Sequence, residues 1–471
     1  MKLYIRVQKE LPRLLTSAVL LCQGMDVYAL GPVDVPPTYG GDFTSRPRLT
    51  GDWLEYRDKM AKKGVVWEAD MFLLPQGVAT GGIETGAEFW GNVDYSLNLD
   101  TQKMGLWPGG FFKFEAITSF GQTFDDNAGT IISANVSSLF PEILQPATGM
   151  MEASYTQFLS PHFGVTMGKM NLFDFTQTEF YGDYHTQFLN SGLNFSMALG
   201  LVPMSAYGGG IVILPTKNIT LMSIALDPSG TPMDNDITKA FKDGVMLLNA
   251  ASFTINPFGL VGHQSLTGTW SNKSHFSLDQ SPTNIGNMLL QSRFPRLADP
   301  GRHLYRMLEK YFPELLDPIE PANTKDNTWS VVYSFDQYLW QPEGDSKRGI
   351  GLFFSFGATD GNPNPIKYTY TLGIGGKGVI PGRLNDSFGI GWSRSQISDQ
   401  LVPLLRDTFD LGLNHEDAIE IYYTAAITPW FNVSPNLQII KSALNKALNS
   451  DDELVNIDTS VIPSIRMNIL F

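Results

Sequence analysis

From Gly64 onward the chain keeps a two-residue rhythm. In AEFWGNVDYSLNLD, Phe89, Val93, Tyr95, Leu97 and Leu99 alternate with Trp90, Asn92, Asp94, Ser96, Asn98 and Asp100. GFFKFEAITSF sets Phe112, Phe114 and Ala116 against Lys113 and Glu115. WSVVYSFDQYLW sets Val331, Tyr333 and Phe335 against Ser334 and Asp336. GIGLFFSFGATDG and DSFGIGWSRSQIS repeat the pattern, with Gly351, Gly357, Gly389 and Gly391 among the small residues of the polar face. IEIYYTAAITPW sets Ile419, Ile421 and Tyr423 against Glu420, Tyr422 and Thr424. Strict alternation gives each strand one apolar and one polar face. Two architectures use many such strands. A sandwich buries the apolar faces in a dry core, whereas a membrane barrel turns them to lipid and lines a wet lumen with the polar ones. The polar faces here mix small and charged residues, as a water-filled interior would. Trp90, Trp107, Trp340, Trp430 and Phe431 fall near strand ends, where an interfacial girdle belongs. The expected class is therefore all-β, a transmembrane antiparallel β-barrel. Its last strand, SVIPSIRMNILF, would close onto the first, because an open edge in lipid leaves backbone groups unpaired. Val461, Pro463, Ile465, Met467 and Ile469 would then face lipid and Arg466 water.

Breaks in the rhythm set the organisation. Residues 1–29 read as a signal peptide: Lys2, Arg6, Lys9 and Arg13 precede the apolar LLTSAVLLCQGM, and Val27 and Ala29 suit cleavage after Ala29. Residues 30–86 hold an extended Pro/Gly-rich leader and a short helix, LTGDWLEYRDKMAKKG. Thr50 or Asp52 would cap it, Lys62 and Lys63 suit its C-terminal end, and Gly64 would stop it. Trp53, Leu54, Arg57, Met60 and Ala61 would share one face. Residues 87–471 would form the barrel. The longest insertion runs from QSPTNIGN to PANTKDN, with a short amphipathic helix near 302–312, and reads as a long extracellular loop able to fold over the pore. A second, acidic insertion, SALNKALNSDDELVN, precedes the last strand.

Composition narrows the function. The formal net charge of −14 argues against nucleic acid, which demands a basic face. It fits solubility, or acidic loops that line a pore or hold divalent cations. No stretch reaches the roughly 18 apolar residues of a membrane helix. The single cysteine, Cys22, lies in the signal segment, so a processed chain would have no disulfide or thiol chemistry. GIGGKG lacks the spacing of a phosphate loop, and DGNPNP carries Pro365 where a calcium loop needs glycine. The six histidines are scattered, and no Gly-x-Ser-x-Gly elbow is present. The paired carboxylates Asp125–Asp126 and Asp451–Asp452 read as solvated loop residues. No catalytic residue, cofactor or metal is expected.

Several segments, taken in order, resemble the carbohydrate-selective porins of Gram-negative outer membranes, the OprB-type family. They are LTGDWLEYRDKMAKKGV, GNVDYSLNLDTQKMGLWPGGFF, GKMNLFDF, FLNSGLN, TWSNKSHFSLDQ, FDQYLW, GATDGNPNPIKY, GIGGKGVIPGRLNDSFGIGW, IEIYYTAAITPWFNVSPNLQII and the final Phe471. The family's helix usually reads Gly-Asp-Trp-Gly-Gly-Leu-Arg-Asp; here Leu54 and Glu55 replace the two glycines. The resemblance implies a barrel of about 16 strands and diffusion of sugars through a constricted lumen in the outer membrane. It also implies that Phe471 serves as an assembly signal read by the barrel-insertion machinery. Implied partners are carbohydrate solutes, outer-membrane lipids and lipopolysaccharide. A sugar pore needs apolar rings beside the pyranose faces and polar groups that exchange hydrogen bonds with hydroxyls, distributed over several weak places. Alternation nominates Asn92, Asp94, Lys113, Glu115, Asp336, Glu420, Tyr422 and Arg466 for the pore lining. The alternatives are a porin of this fold for other small solutes, and a secreted β-rich carbohydrate-binding protein or glycosidase.

Overall fold

In the computed structural model, residues 31–279, 310, 323–401, 412–448 and 454–471 are described. Residues 1–30, most of the 280–327 insertion and Asp451–Asp452 lie outside them. Sixteen antiparallel strands form the wall. They are β1 (Val65–Val78), β2 (Gly86–Asp100), β3 (Gly110–Gly121), β4 (Thr148–Ser160), β5 (Phe163–Asn171), β6 (Ser205–Thr216), β7 (Ile219–Leu226) and β8 (Met246–Ile255), followed by β9 (Gly262–Phe276), β10 (Thr324–Trp340), β11 (Gly349–Thr359), β12 (Ile366–Lys377), β13 (Ser387–Ile397), β14 (His415–Thr428), β15 (Phe431–Lys441) and β16 (Asp458–Leu470). Each pairs with its sequence neighbour, and β1 pairs with both β2 and β16, so the sheet closes on itself. Connections are tight at one end, such as 161–162, 217–218 and 429–430, and long at the other.

Burial follows the alternation. On β14, Ile419 and Ile421 are 44% and 50% exposed on the outside, while Glu420 between them is fully buried within. On β16, Ile465 is exposed, as expected of the lipid face, whereas Arg466 points inward but is fully buried and does not meet water. Placing an arginine or lysine outward at mid-membrane would cost about 2–4 kcal/mol.

Four expectations need correction. The wall begins at Val65, one strand before residue 87. VVWEADMFLLPQGV hides its period because Phe72 and Leu74 are apolar on the inner side as well, and Pro75 interrupts the run. The helix α1 spans only Tyr56–Lys62. Trp53, Leu54 and Glu55 are left-handed (φ 50°, 59° and 69°), the conformation glycine adopts without a Cβ clash. Leu54 is 90% exposed rather than on the buried face. Trp90 is no girdle residue: it is buried inside with Phe72, Leu74 and Ile117, whereas Trp107 and Trp340 are exposed outside. Asp125 is not a solvated loop carboxylate, because it is buried and accepts bonds from Ser133 Oγ and Ala134 N.

The leader lies across the tight-turn end. Leu49 N donates to Leu470 O at 2.7 Å. Arg57, packed over the Tyr39 ring, donates to the carbonyls of Trp67 (3.1 Å) and Phe471 (2.8 Å). Phe471 N in turn bonds Ala69 O, so the last residue is held on both sides.

Candidate functional site in the barrel lumen

Two long connections turn inward instead of out. Residues 122–147 and 172–204 are largely buried inside the barrel and bond each other through Val136 N to Leu189 O and Ser191 N to Ser133 O. Their backbones have no ladder partner, so the wall must satisfy them. Two carboxylates four residues apart on β14 do so, and the period of two puts both on the inner face. Glu416 accepts the consecutive amides of Ile131 and Ile132 at 2.8 and 2.9 Å. Glu420 accepts those of Leu189 and Asn190 at 2.7 and 2.8 Å, together with a bond from the side-chain Nδ2 of Asn436. Arg466 donates to the carbonyls of Tyr184 (2.7 Å) and Gln187 (2.6 Å) and to Thr424 Oγ1. The Tyr422 ring packs edge-on against Phe188. Space for the second loop comes from glycines: a Cβ on Gly351 or Gly375 would meet the Phe180 ring within 2.6 Å, and one on Gly389 would meet Tyr422 and Phe188.

All eight predicted lining residues thus face inward, but they divide by role. Glu420, Tyr422 and Arg466 are sealed beneath the second loop. Asn92 is likewise buried and donates to the Tyr184 hydroxyl, which donates to Asp94. Asp94 and Glu115 line open space, and Lys113 stands beside Glu115. Lys113 reaches Asp174 (2.5 Å), Glu115 (2.9 Å) and Glu152 (3.3 Å). Those three carboxylates approach closely enough to hold a cation, but the Lys113 ammonium already sits among them. Asp336 is buried beside His263 Nδ1 at 2.8 Å.

Open space flanks the second loop on two sides. Against β1–β4 lies a cavity of about 190 Å³ walled by Glu68, Asp70, Asp94, Glu115, Asp174 and Asp183, with His185 among them. His185 belongs to the loop, outside the spanning strands. Burial pulls its pKa down, but the hydrogen bond to Asp94 and the charges of Asp94, Asp183 and Asp70 override this and hold it at about 9. It is therefore a cation at neutral pH, 2.9 Å from Asp94. Against β8–β11 lies a passage of about 70 Å³ whose wall hydroxyls and amides (Ser252, Thr254, Gln264, Thr267, Ser334) face loop aromatics (Phe175, Tyr181, Phe195). Phe173 and Gln177 border the acidic cavity and also the space on the opposite side. The segment Phe173–Gln177 thus forms a tongue between these spaces.

Sequence reading missed Glu416, Asp70, Asp174, His185 and the loop aromatics. Glu416 was within reach, since it shares the inner face of Glu420's strand. The loop residues carry no period, and only the fold brings them to the wall.

Comparison with known proteins places this architecture. The family description carbohydrate-selective porin, OprB family, matches residues 85–471. Porin B of Pseudomonas aeruginosa is 27% identical over 161 residues, an alignment covering 31% of this chain and 33% of that protein. The high-pH structure of Pseudomonas putida OprB superposes with a TM-score of 0.72 at 19% identity, covering 92% of this chain and all of that one. The low-pH structure of the same protein gives 0.51 at 16% identity, covering 91% of this chain and 99% of that one. At these identities the superpositions bear on the fold alone.

Proposed function

The chain belongs to the carbohydrate-selective porin family of the Gram-negative outer membrane, and on that premise we propose that it is a passive channel for mono- and oligosaccharides. The observation that carries this reading is the second inward loop. It narrows the lumen to a passage with hydroxyls and amides on one wall and aromatic rings on the other. A pyranose presents the matching surfaces: equatorial hydroxyls that need replacement partners when they leave water, and apolar ring faces that stack on aromatics. No single residue grips the sugar, which suits a pore, because weak distributed contacts allow both uptake and release. In this reading the Phe173–Gln177 tongue is the constriction. Asp94 and Glu115 touch the water column, Lys113 pairs with Glu115, and Asp336, buried beside His263, borders the passage. Asn92, Glu420, Tyr422 and Arg466 position the loop. The channel catalyses no reaction. The exposed apolar band meets outer-membrane lipid and lipopolysaccharide, and Phe471 serves the insertion machinery. Liposome swelling tests the reading: sugars should permeate faster than amino acids of equal size. Equal rates for all solutes of one size would reduce the protein to a general pore.

A further inference from the structure

Inside β6–β8 the polar-inward rule fails. Val212, Leu214, Met222, Ile224, Met246 and Leu248 all point inward and are at most 5% exposed, while Ile211, Ile213, Leu221 and Leu247 point outward. This sector is apolar on both faces. The second loop covers part of the inner face with Leu172, Phe175 and Val202. It leaves a cavity of about 100 Å³ against Met222, Leu248 and Ala250, closed on the loop side by Phe173, Phe195 and Met197. The cavity is not isolated. It shares Phe175, Thr176, Phe195, Ser252, Ser265 and Thr267 with the hydroxyl-lined passage. One solute could therefore occupy an apolar and a polar compartment together.

A bare sugar does not match that pair, because every hydroxyl turned toward Met222 and Leu248 would lose its water without finding a partner. A flat apolar group does match: a cavity of about 150 Å³ lined by such side chains takes up benzene and stays dry otherwise. We propose that this channel binds glycosides bearing an aromatic aglycone, with the ring in the β7–β8 cavity and the sugar among the hydroxyls of the passage. The proposal rests on the carbohydrate-channel reading and specifies its solute class. Burying one aromatic ring corresponds to roughly ten- to a hundredfold in affinity.

The test uses the full-length folded protein in planar bilayers, with current block by phenyl β-glucoside, methyl β-glucoside and phenol as the readout. Phenyl β-glucoside should block at a concentration at least about tenfold lower than either comparator. Ala250→Trp, which fills the cavity, and Met222→Ser, which makes it polar without adding bulk, should each bring the phenyl-to-methyl ratio close to one. A heat-dependent shift on SDS gels identifies the variants that have folded, and either variant alone suffices. Equal block by the two glucosides, or a preference that survives in a folded variant, overturns the proposal. Glucose-driven liposome swelling of the unaltered protein is read in parallel. If glucose permeates but the aryl preference is missing, only this inference falls; if no sugar permeates, the channel reading falls with it.

Discussion

Glu420→Gln keeps the side chain's shape and removes its charge. In the native lumen both carboxylate oxygens are engaged by consecutive amides, Leu189 N at 2.7 Å and Asn190 N at 2.8 Å. Hydrogen bonds to a charged acceptor are worth about 1.5–3 kcal/mol each, and an unpaired buried donor costs about 1–3 kcal/mol. Glutamine offers one oxygen and one NH₂, so one of the two loop amides loses its acceptor and meets another donor. The expected loss of loop anchoring is about 3 kcal/mol, or roughly a hundredfold in the equilibrium between pinned and released loop. Hydrogen exchange on the folded barrel reads this directly, as the amides of Leu189 and Asn190 should exchange about a hundredfold faster. The amides of Ile131 and Ile132, held by Glu416 on the same strand, are the internal control and should change far less. Single-channel recordings should show added current noise as the tongue moves. Unchanged protection at both Leu189 and Asn190 would refute the claim that this carboxylate pins the loop.

Three further outcomes follow from the same geometry. His185 has a pKa raised from 6.5 to about 9, so its ion pair with Asp94 stabilises fully below about pH 6.5 and is lost as pH rises through 9. The contribution is on the order of 3 kcal/mol, and His185→Gln should abolish this part of the pH dependence of thermal unfolding; an unchanged profile would count against the pair. Leu54→Gly and Glu55→Gly relieve left-handed strain of about 1–2 kcal/mol per residue, against an unfolded-state entropy cost of about 0.5–1 kcal/mol. Each should raise stability slightly in denaturant unfolding, and a drop of more than 1 kcal/mol, the scale of that entropy cost, would contradict the strain argument. Deleting Phe471 removes the bond to Ala69 O and one of the two carbonyl acceptors of Arg57. It should lower the heat-modifiable fraction recovered from outer membranes while leaving the conductance of inserted channels unaltered; normal yield would remove the assembly role.

The wall was legible in the sequence because one rule governs each of its positions. Alternation placed Lys113, Glu115, Glu420 and Arg466 inward and Ile419, Ile421 and Ile465 outward, since lipid and water divide the two faces of every strand. The rule faltered where both faces are apolar. It hid β1 behind Phe72 and Leu74, and it gave no hint that the inner face of β6–β8 meets a loop and a cavity instead of water. The tight turn at Trp53–Glu55 was invisible because its residues are not those that favour left-handed backbone. What the lining residues touch was decided only by the tertiary structure. A lumen-facing glutamate looks the same in sequence whether it meets solute or caps a loop. Glu420 caps a loop because residues 172–204, which have no ladder of their own, carry backbone donors into the barrel that need a buried acceptor. The glycines at 351, 375 and 389 stood on the polar faces all along; their meaning as space for Phe180 and Phe188 appeared only when the loop was seated. Local alternation can specify a face, but which partner occupies that face depends on contacts between residues hundreds of positions apart.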